Sequence, residues 1–146
     1  MLGKDRKRGN VMFKIMLVED SLLFRKLLKD DLRNQFPSME IIEAGDVVET
    51  FQKIDSNLPD LVFMDIHLHG ENGLELTKKI KADHPNIIII ILTNYDLPEY
   101  REAATRNKVD YFFAKDSMAT GIFKLVKSIL LEKGFNSDGS KVYRLY

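Results

Sequence analysis

Five side chains of this sequence stand where short apolar runs end. Glu19 and Asp20 follow residues 13–18, Asp65 follows 61–64, Thr93 follows 87–92 and Lys115 follows 111–114. If those runs are parallel strands their ends converge, and three carboxylates share one crevice. Like charges at that spacing repel, and Lys115 alone does not neutralise them. A hard divalent cation with oxygen ligands would, and Mg²⁺ (or Mn²⁺ in its place) suits a site with few carboxylates that also handles phosphate. A hydroxyl from Thr93 and an ammonium from Lys115 are groups that hold phosphoryl oxygens as charge moves during in-line transfer. Asp65 then has the chemistry of a nucleophile that forms an aspartyl-phosphate.

Each of these residues alone has an ordinary reading. Glu19 and Asp20 are also good helix-capping acids, and Asp65 is also a solvated strand end. Thr93 suits a strand in any protein, and Lys115 suits any surface. Their joint placement is what points to a site.

The elements that must position them follow from periodicity. A strand over 13–18 leads to a helix over 21–36, with Leu22, Leu23, Leu27, Leu28 and Leu32 at helical spacing, Asp20 or Ser21 as N-cap and Pro37 beyond its end. A second strand covers 39–44. A second helix covers 46–54, with an apolar face of Val47, Val48, Phe51 and Ile54. The third strand, 61–64, ends at Asp65, and a turn containing Gly70 and Gly73 leads into a helix over 74–82. The five consecutive isoleucines that open the fourth strand, 87–92, suit a strand buried on both faces. Pro98 is well placed as the first residue of a helix to 108. A fifth strand covers 111–114, and Asp116 or Ser117 caps a last helix to 133, with Gly134 as its stop.

Five strand–helix units in alternation predict an α/β fold: a doubly wound, flavodoxin-like parallel sheet of five strands with helices on both faces. Strand order 2-1-3-4-5 is the natural candidate. It places the ligand crevice between strands one and three, outside their carboxyl ends. Residues 1–10 read as a flexible, basic extension, 11–134 as the domain, and 135–146 as an exposed C-terminal tail.

Composition narrows the field. Lys+Arg and Asp+Glu both number 22, so no global electrostatic case for nucleic-acid binding exists. Cysteine is absent, which excludes disulfides and thiolate metal sites. The longest apolar run is far too short for a bilayer, and no signal peptide is evident. A cytoplasmic protein without membrane contact is expected.

With the residues in view, the chain resembles the receiver domains of two-component response regulators. The motifs that carry the resemblance are Val18-Glu19-Asp20-Ser21, Met64-Asp65-Ile66, Gly73, Leu92-Thr93-Asn94 and Val109-Asp110-Tyr111-Phe112-Phe113-Ala114-Lys115-Asp116, in the family's order and spacing. The match runs from about Phe13 to about Lys133. The resemblance implies that Asp65 accepts a phosphoryl group from a histidine kinase or a histidine phosphotransfer protein. It implies that Asp20 binds Mg²⁺ alongside Asp65, that Glu19 acts through metal-bound water, and that the backbone carbonyl of His67 is a further ligand. Thr93 would bond the phosphoryl group and Lys115 would pair with its charge. Phe112 takes the place of the aromatic switch residue, whose ring turns inward as Thr93 is drawn to the phosphate. Output would pass to a downstream protein target or output domain through the face of the fourth helix, fifth strand and fifth helix. Such a protein is a phosphorylatable switch with its own Mg²⁺-dependent phosphorylation and dephosphorylation chemistry, not an enzyme acting on other substrates.

Two positions depart from the family pattern. His69 stands where a proline is usual, and Glu71 replaces a residue that is often apolar. His67 and His69 have no third imidazole or thiolate near them in sequence, so they are read as loop histidines and not as a transition-metal pair. His84 has the look of a helix terminator. By resemblance, His67 and Tyr95 flank the path of hydrolytic water. They are expected to shield an Asp65 phosphate, unless neutral His67 acts as a general base instead. Other classes fit less well. A haloacid-dehalogenase-type phosphatase needs a second Asp where His67 stands. A flavodoxin-like cofactor carrier needs a hydroxyl- and glycine-rich loop where Glu19-Asp20-Ser21-Leu22 stands. The remaining alternative is a receiver fold that signals by protein contact without phosphorylation.

Overall fold

A computed structural model describes residues 12–116 and 121–142. The basic segment 1–10 and Ser117, one of the two expected caps of the last helix, lie outside them. The described elements run in the order β1 (Lys14–Val18), α1 (Leu22–Gln35), β2 (Glu40–Ala44), α2 (Val47–Asn57), β3 (Leu61–Met64), β4 (His67–Leu68), β5 (Glu71–Asn72), α3 (Gly73–Asp83), β6 (Ile88–Thr93), α4 (Pro98–Arg106), β7 (Tyr111–Ala114) and α5 (Ile122–Glu132). Five of the strands form one parallel sheet in the order β2-β1-β3-β6-β7. This is the expected order 2-1-3-4-5, renumbered because the short hairpin β4–β5 precedes β6.

Alternation along each strand splits the core in two. Ile15, Leu17, Phe63, Ile90 and Leu92 face α1 and α5, where they meet Leu28, Leu32, Val126 and Ile129. Met16, Val18, Val62, Met64, Ile89 and Ile91 face the other way, onto Ile54, Leu74, Leu76, Ile80 and Ala104. Two-sided burial is why the strands read as continuous apolar runs. Among the described residues no helix is long and apolar enough to cross a membrane.

Several expectations need correction. In α1 only Leu28 and Leu32 are buried, and Leu22, at 73% exposure, points to solvent with Leu23 and Leu27. In α2 the inward face is Thr50 and Ile54, while Val48 is 65% exposed and Phe51 is also exposed. The helix runs on to Asn57 and is closed by Leu58 in the left-handed region, at φ 46°. The last helix begins at Ile122 with Gly121 as N-cap and no side-chain capping bond, so Asp116 does not cap it.

Residues 135–142 are not an exposed tail. Phe135 is buried and sets its ring edge-on to Phe13, at 5.2 Å between centroids. The chain then crosses the amino end of the sheet. There the Phe13 amide donates to the Gly139 carbonyl at 2.9 Å, and the Ser38 amide to the Asp138 carbonyl at 2.9 Å.

Candidate functional site at the carboxyl edge of the sheet

The strand order reverses at β1, and there the three acids meet. Glu19, Asp20 and Asp65 each place a carboxylate oxygen within 4.8 Å of the other two. Glu19 and Asp65 are only 4% and 8% exposed. Local structure sets each of them. The Asp65 amide, one residue beyond β3, donates to the carbonyl of Val18, the last residue of β1, at 3.0 Å. Glu19 turns back so that its carboxylate accepts the Ser21 amide at 3.0 Å, and Ser21 in turn caps α1 by accepting from the Phe24 amide at 3.2 Å. Of the two expected caps, Ser21 is the one used.

Lys115, from the end of β7, reaches between the acids. Its Nζ lies 2.7 Å from Glu19 and 3.3 Å from Asp65. The ammonium also sits 4.2 Å from the centre of the Phe24 ring, a cation–π contact from α1 that sequence spacing did not suggest. Burial pushes the Glu19 carboxyl above the ordinary carboxylate range. The hydrogen bonds from Lys115 and Ser21 pull it back in part, and the Asp65 charge adds to the rise. One ammonium against three clustered carboxylates leaves a net negative pocket with hard oxygen donors, and that donor set fits Mg²⁺.

The other anticipated residues lie around this centre. Thr93 ends β6, fully buried, and its hydroxyl oxygen accepts the Tyr95 amide at 3.2 Å. Phe112 pairs with Ile91 in the ladder and is half-buried, with the Arg101 guanidinium 4.6 Å above its ring. His67 begins the hairpin opposite Asn72. Its imidazole meets the Tyr95 ring at 4.5 Å and the Tyr100 ring at 5.8 Å, a cluster in which Tyr100, from α4, was not foreseen.

The hairpin explains the departure at His69. His69 and Gly70 both have positive φ, 48° and 81°, the pattern of a two-residue mirror-image turn. Proline, locked near −65°, has no access to that conformation. The turn folds over the acids, and the His69 amide donates to Asp20 at 3.1 Å. After the hairpin, α3 starts so close to the site that a Cβ on Gly73 would lie 1.9 Å from the Asp65 carbonyl oxygen. Glycine is therefore required there by contact with the backbone of Asp65 itself.

Comparison with known proteins agrees with this architecture. Residues 15–127 match the family model of the response regulator receiver domain. The chain is 32% identical over 118 residues to the oxygen regulatory protein NreC of Staphylococcus carnosus, covering 80% of this chain and 54% of that protein. It is 29% identical over 117 residues to the chemotaxis protein CheY of Halobacterium salinarum, covering 80% of this chain and 95% of that one. A crystal structure of a LuxR-family DNA-binding response regulator from Staphylococcus aureus superposes with a TM-score of 0.70 at 28% identity, covering 81% of this chain and 96% of that one. The chain belongs to the response regulator receiver domain family and is a signalling domain of the two-component type. It spans about half or less of the length of the first curated relatives it matches, 35% of LytT from Bacillus subtilis and 54% of NreC.

Proposed function

We propose that this domain is a cytoplasmic switch that takes a phosphoryl group onto Asp65 from a histidine kinase or a histidine phosphotransfer protein. The observation that carries the proposal is the meeting of Glu19, Asp20, Asp65 and Lys115 at the topological switch point. Asp65 and Asp20 would hold Mg²⁺ with the backbone carbonyl of His67, and Glu19 would act through its water. When bound, the cation supplies neutralisation of the three acids and of the charge carried by the incoming phosphoryl oxygens. An oxygen of Asp65 bonds to phosphorus as the bond from phosphorus to the donor breaks, and the donor leaves with that bond's electron pair, as acetate or as an imidazole protonated from solvent. Lys115 is already in contact with Asp65 and pairs with the phosphoryl charge. The Thr93 hydroxyl, now held by the Tyr95 amide, turns to a phosphoryl oxygen, and Phe112 moves inward behind it.

The test is incubation with acetyl phosphate and Mg²⁺, read by intact mass. One added phosphoryl group is expected in the parent, none in Asp65→Asn and none with a chelator. Equal labelling in Asp65→Asn would overturn the assignment. No labelling of the parent by acetyl phosphate or by a phosphorylated histidine donor would favour a receiver fold that signals by contact alone.

A further inference from the structure

Arg25 lies beneath the Glu19–Asp20 segment and takes no part in the proposed transfer. Its side chain, 14% exposed, is held at two points. Nη1 donates to the Glu19 carbonyl at 2.6 Å, and Nε donates to Glu43 Oε1 at 3.0 Å. The other Glu43 oxygen accepts from Lys29 at 2.7 Å, and the Glu43 carbonyl accepts from Lys53 at 2.6 Å. Space for the guanidinium is left by Gly45, where a Cβ would lie 3.0 Å from Nη1.

The bonded carbonyl belongs to the peptide plane that joins Glu19 to Asp20. Because that plane is rigid, holding its oxygen fixes the position from which both carboxylates extend. A charge-assisted bond from a planar guanidinium is strong and directional, and its rigid fork holds the carbonyl and the carboxylate in one fixed geometry, which the point charge of a lysine ammonium does not impose. Glu43 sits opposite Leu17 in the β1–β2 ladder, so the clamp refers the acidic segment to the sheet and not to a mobile loop. Glu43 partly offsets the Arg25 charge, sharing its carboxylate with Lys29. Its ion pairs with Lys29 and Arg25 hold the Glu43 carboxyl below the ordinary range, which keeps it charged.

We propose that Arg25, held by Glu43, is a positioning residue that fixes the Glu19–Asp20 peptide for divalent-cation binding, an inference that rests on the cation reading of the acidic cluster. Three carboxylates within 4.8 Å repel, and without the clamp they spread until the cation must reassemble them.

The experiment is a Mg²⁺ titration of the full chain followed by amide NMR, with thermal melting alongside. Loss of a partner that orients metal ligands is expected to raise the Mg²⁺ Kd on the order of tenfold in Arg25→Met. Arg25→Lys should recover only part of that affinity, and Glu43→Gln should shift it in the same direction by less. At saturating Mg²⁺, phosphorylation by acetyl phosphate should return close to the parental rate, because the clamp touches no reacting atom. A purely structural Arg25 would lower the melting temperature and leave Kd unchanged. Parental or tighter Mg²⁺ binding in folded Arg25→Met overturns this inference alone. If that variant does not fold, parental Kd in both Arg25→Lys and Glu43→Gln does the same. A parent that binds no Mg²⁺ overturns the cation reading and this inference together.

Discussion

At the scale of single residues, the ring cluster around His67 and one half-buried acid at the other end of the sheet lead to different tests. His67, Tyr95 and Tyr100 touch edge to face, and they line the loop that begins two residues past Asp65. Their bulk would keep water from lining up behind a phosphoryl group on Asp65. Misplacing a reactant by an ångström can change rates by on the order of a hundredfold, so truncation should matter. His67→Ala and Tyr95→Ala are each expected to speed decay of the Asp65 phosphate with little pH dependence. Because the rings touch, the double variant should fall short of the product of the two. Slower decay in His67→Ala would make His67 a general base instead. Asp60 sits at the opposite edge, where its carboxylate accepts the Lys14 amide at 2.9 Å. Burial is the main cause that lifts its carboxyl above the usual 3.8, the Lys14 amide opposing it. The folded state therefore holds a proton there after the unfolded chain has released it. That contribution to stability is present at low pH and is lost as pH rises from about 3.8 through the raised value. Asp60→Asn removes the ionisation while leaving an oxygen for the Lys14 amide. Relative to the parent, its melting temperature should improve as pH climbs through that window, and a constant difference would refute the account.

At the scale of elements, the segment after α5 repays attention. Phe135 closes the core at the amino end of the sheet, between Phe13 and the stem of Lys141, whose Nζ lies 4.8 Å from the ring centre. Removing a buried phenylalanine ring costs about 3–5 kcal/mol, so Phe135→Ala should lower the urea midpoint sharply with little change in slope. A change within about 0.5 kcal/mol, the range of ordinary surface substitutions, would restore the reading of an exposed tail. The sequence hid this packing because its bonds join residues a hundred positions apart, as in Ser38 with Asp138. A dozen residues following the Gly134 stop of the last helix read as a tail. The same limit applied to α1. Leu22, Leu23 and Leu27 compete with Leu28 and Leu32 for the inner face, and helical spacing does not say which stripe the sheet covers. The strands were plain by contrast, because burial on both faces leaves uninterrupted apolar runs. So were the acids, because every strand end stands out against such a run. Arg25 was not legible, since it lies on α1 and its partner Glu43 is eighteen residues away on β2. Nor was the hairpin: only the pairing of His69 with Gly70 hinted at its turn, and histidine, though commoner at positive φ than most residues, adopts it in a minority of cases.

At the scale of the whole molecule, the proposed transfer onto Asp65 would have to reach the face made by α4, β7 and α5. Phe112 lies between them in the ladder, beside Ile91 and two residues short of Ala114, which pairs with Thr93. The ring packs against the α2–α3–α4 side of the core, with the Arg101 guanidinium of α4 4.6 Å from its centre, and Arg101 is itself fixed by a fork of two bonds to Asp96, the longer of them 3.0 Å. Phosphorylation would draw Thr93 toward the phosphoryl group and open room for the ring to turn inward, but the turn must break the cation–π contact. If Phe112 switches in this way, the contact would bias the unphosphorylated protein toward the ring position seen here. An exposed cation–π pair contributes about 0.5–1 kcal/mol, which corresponds to a roughly two- to fivefold shift between two packings. Arg101→Ala should raise the inward population by that factor before any phosphorylation. Beryllofluoride, a phosphoryl mimic, provides the end point. Amide shifts of α4, β7 and α5 in the free variant should move part of the way along the line from free to beryllofluoride-bound parent, because a two-state exchange shifts every reporter in proportion. Shifts confined to the neighbours of residue 101, or displaced off that line, would mean that Arg101 does not hold the switch and that Phe112 is governed by its contacts with the core alone.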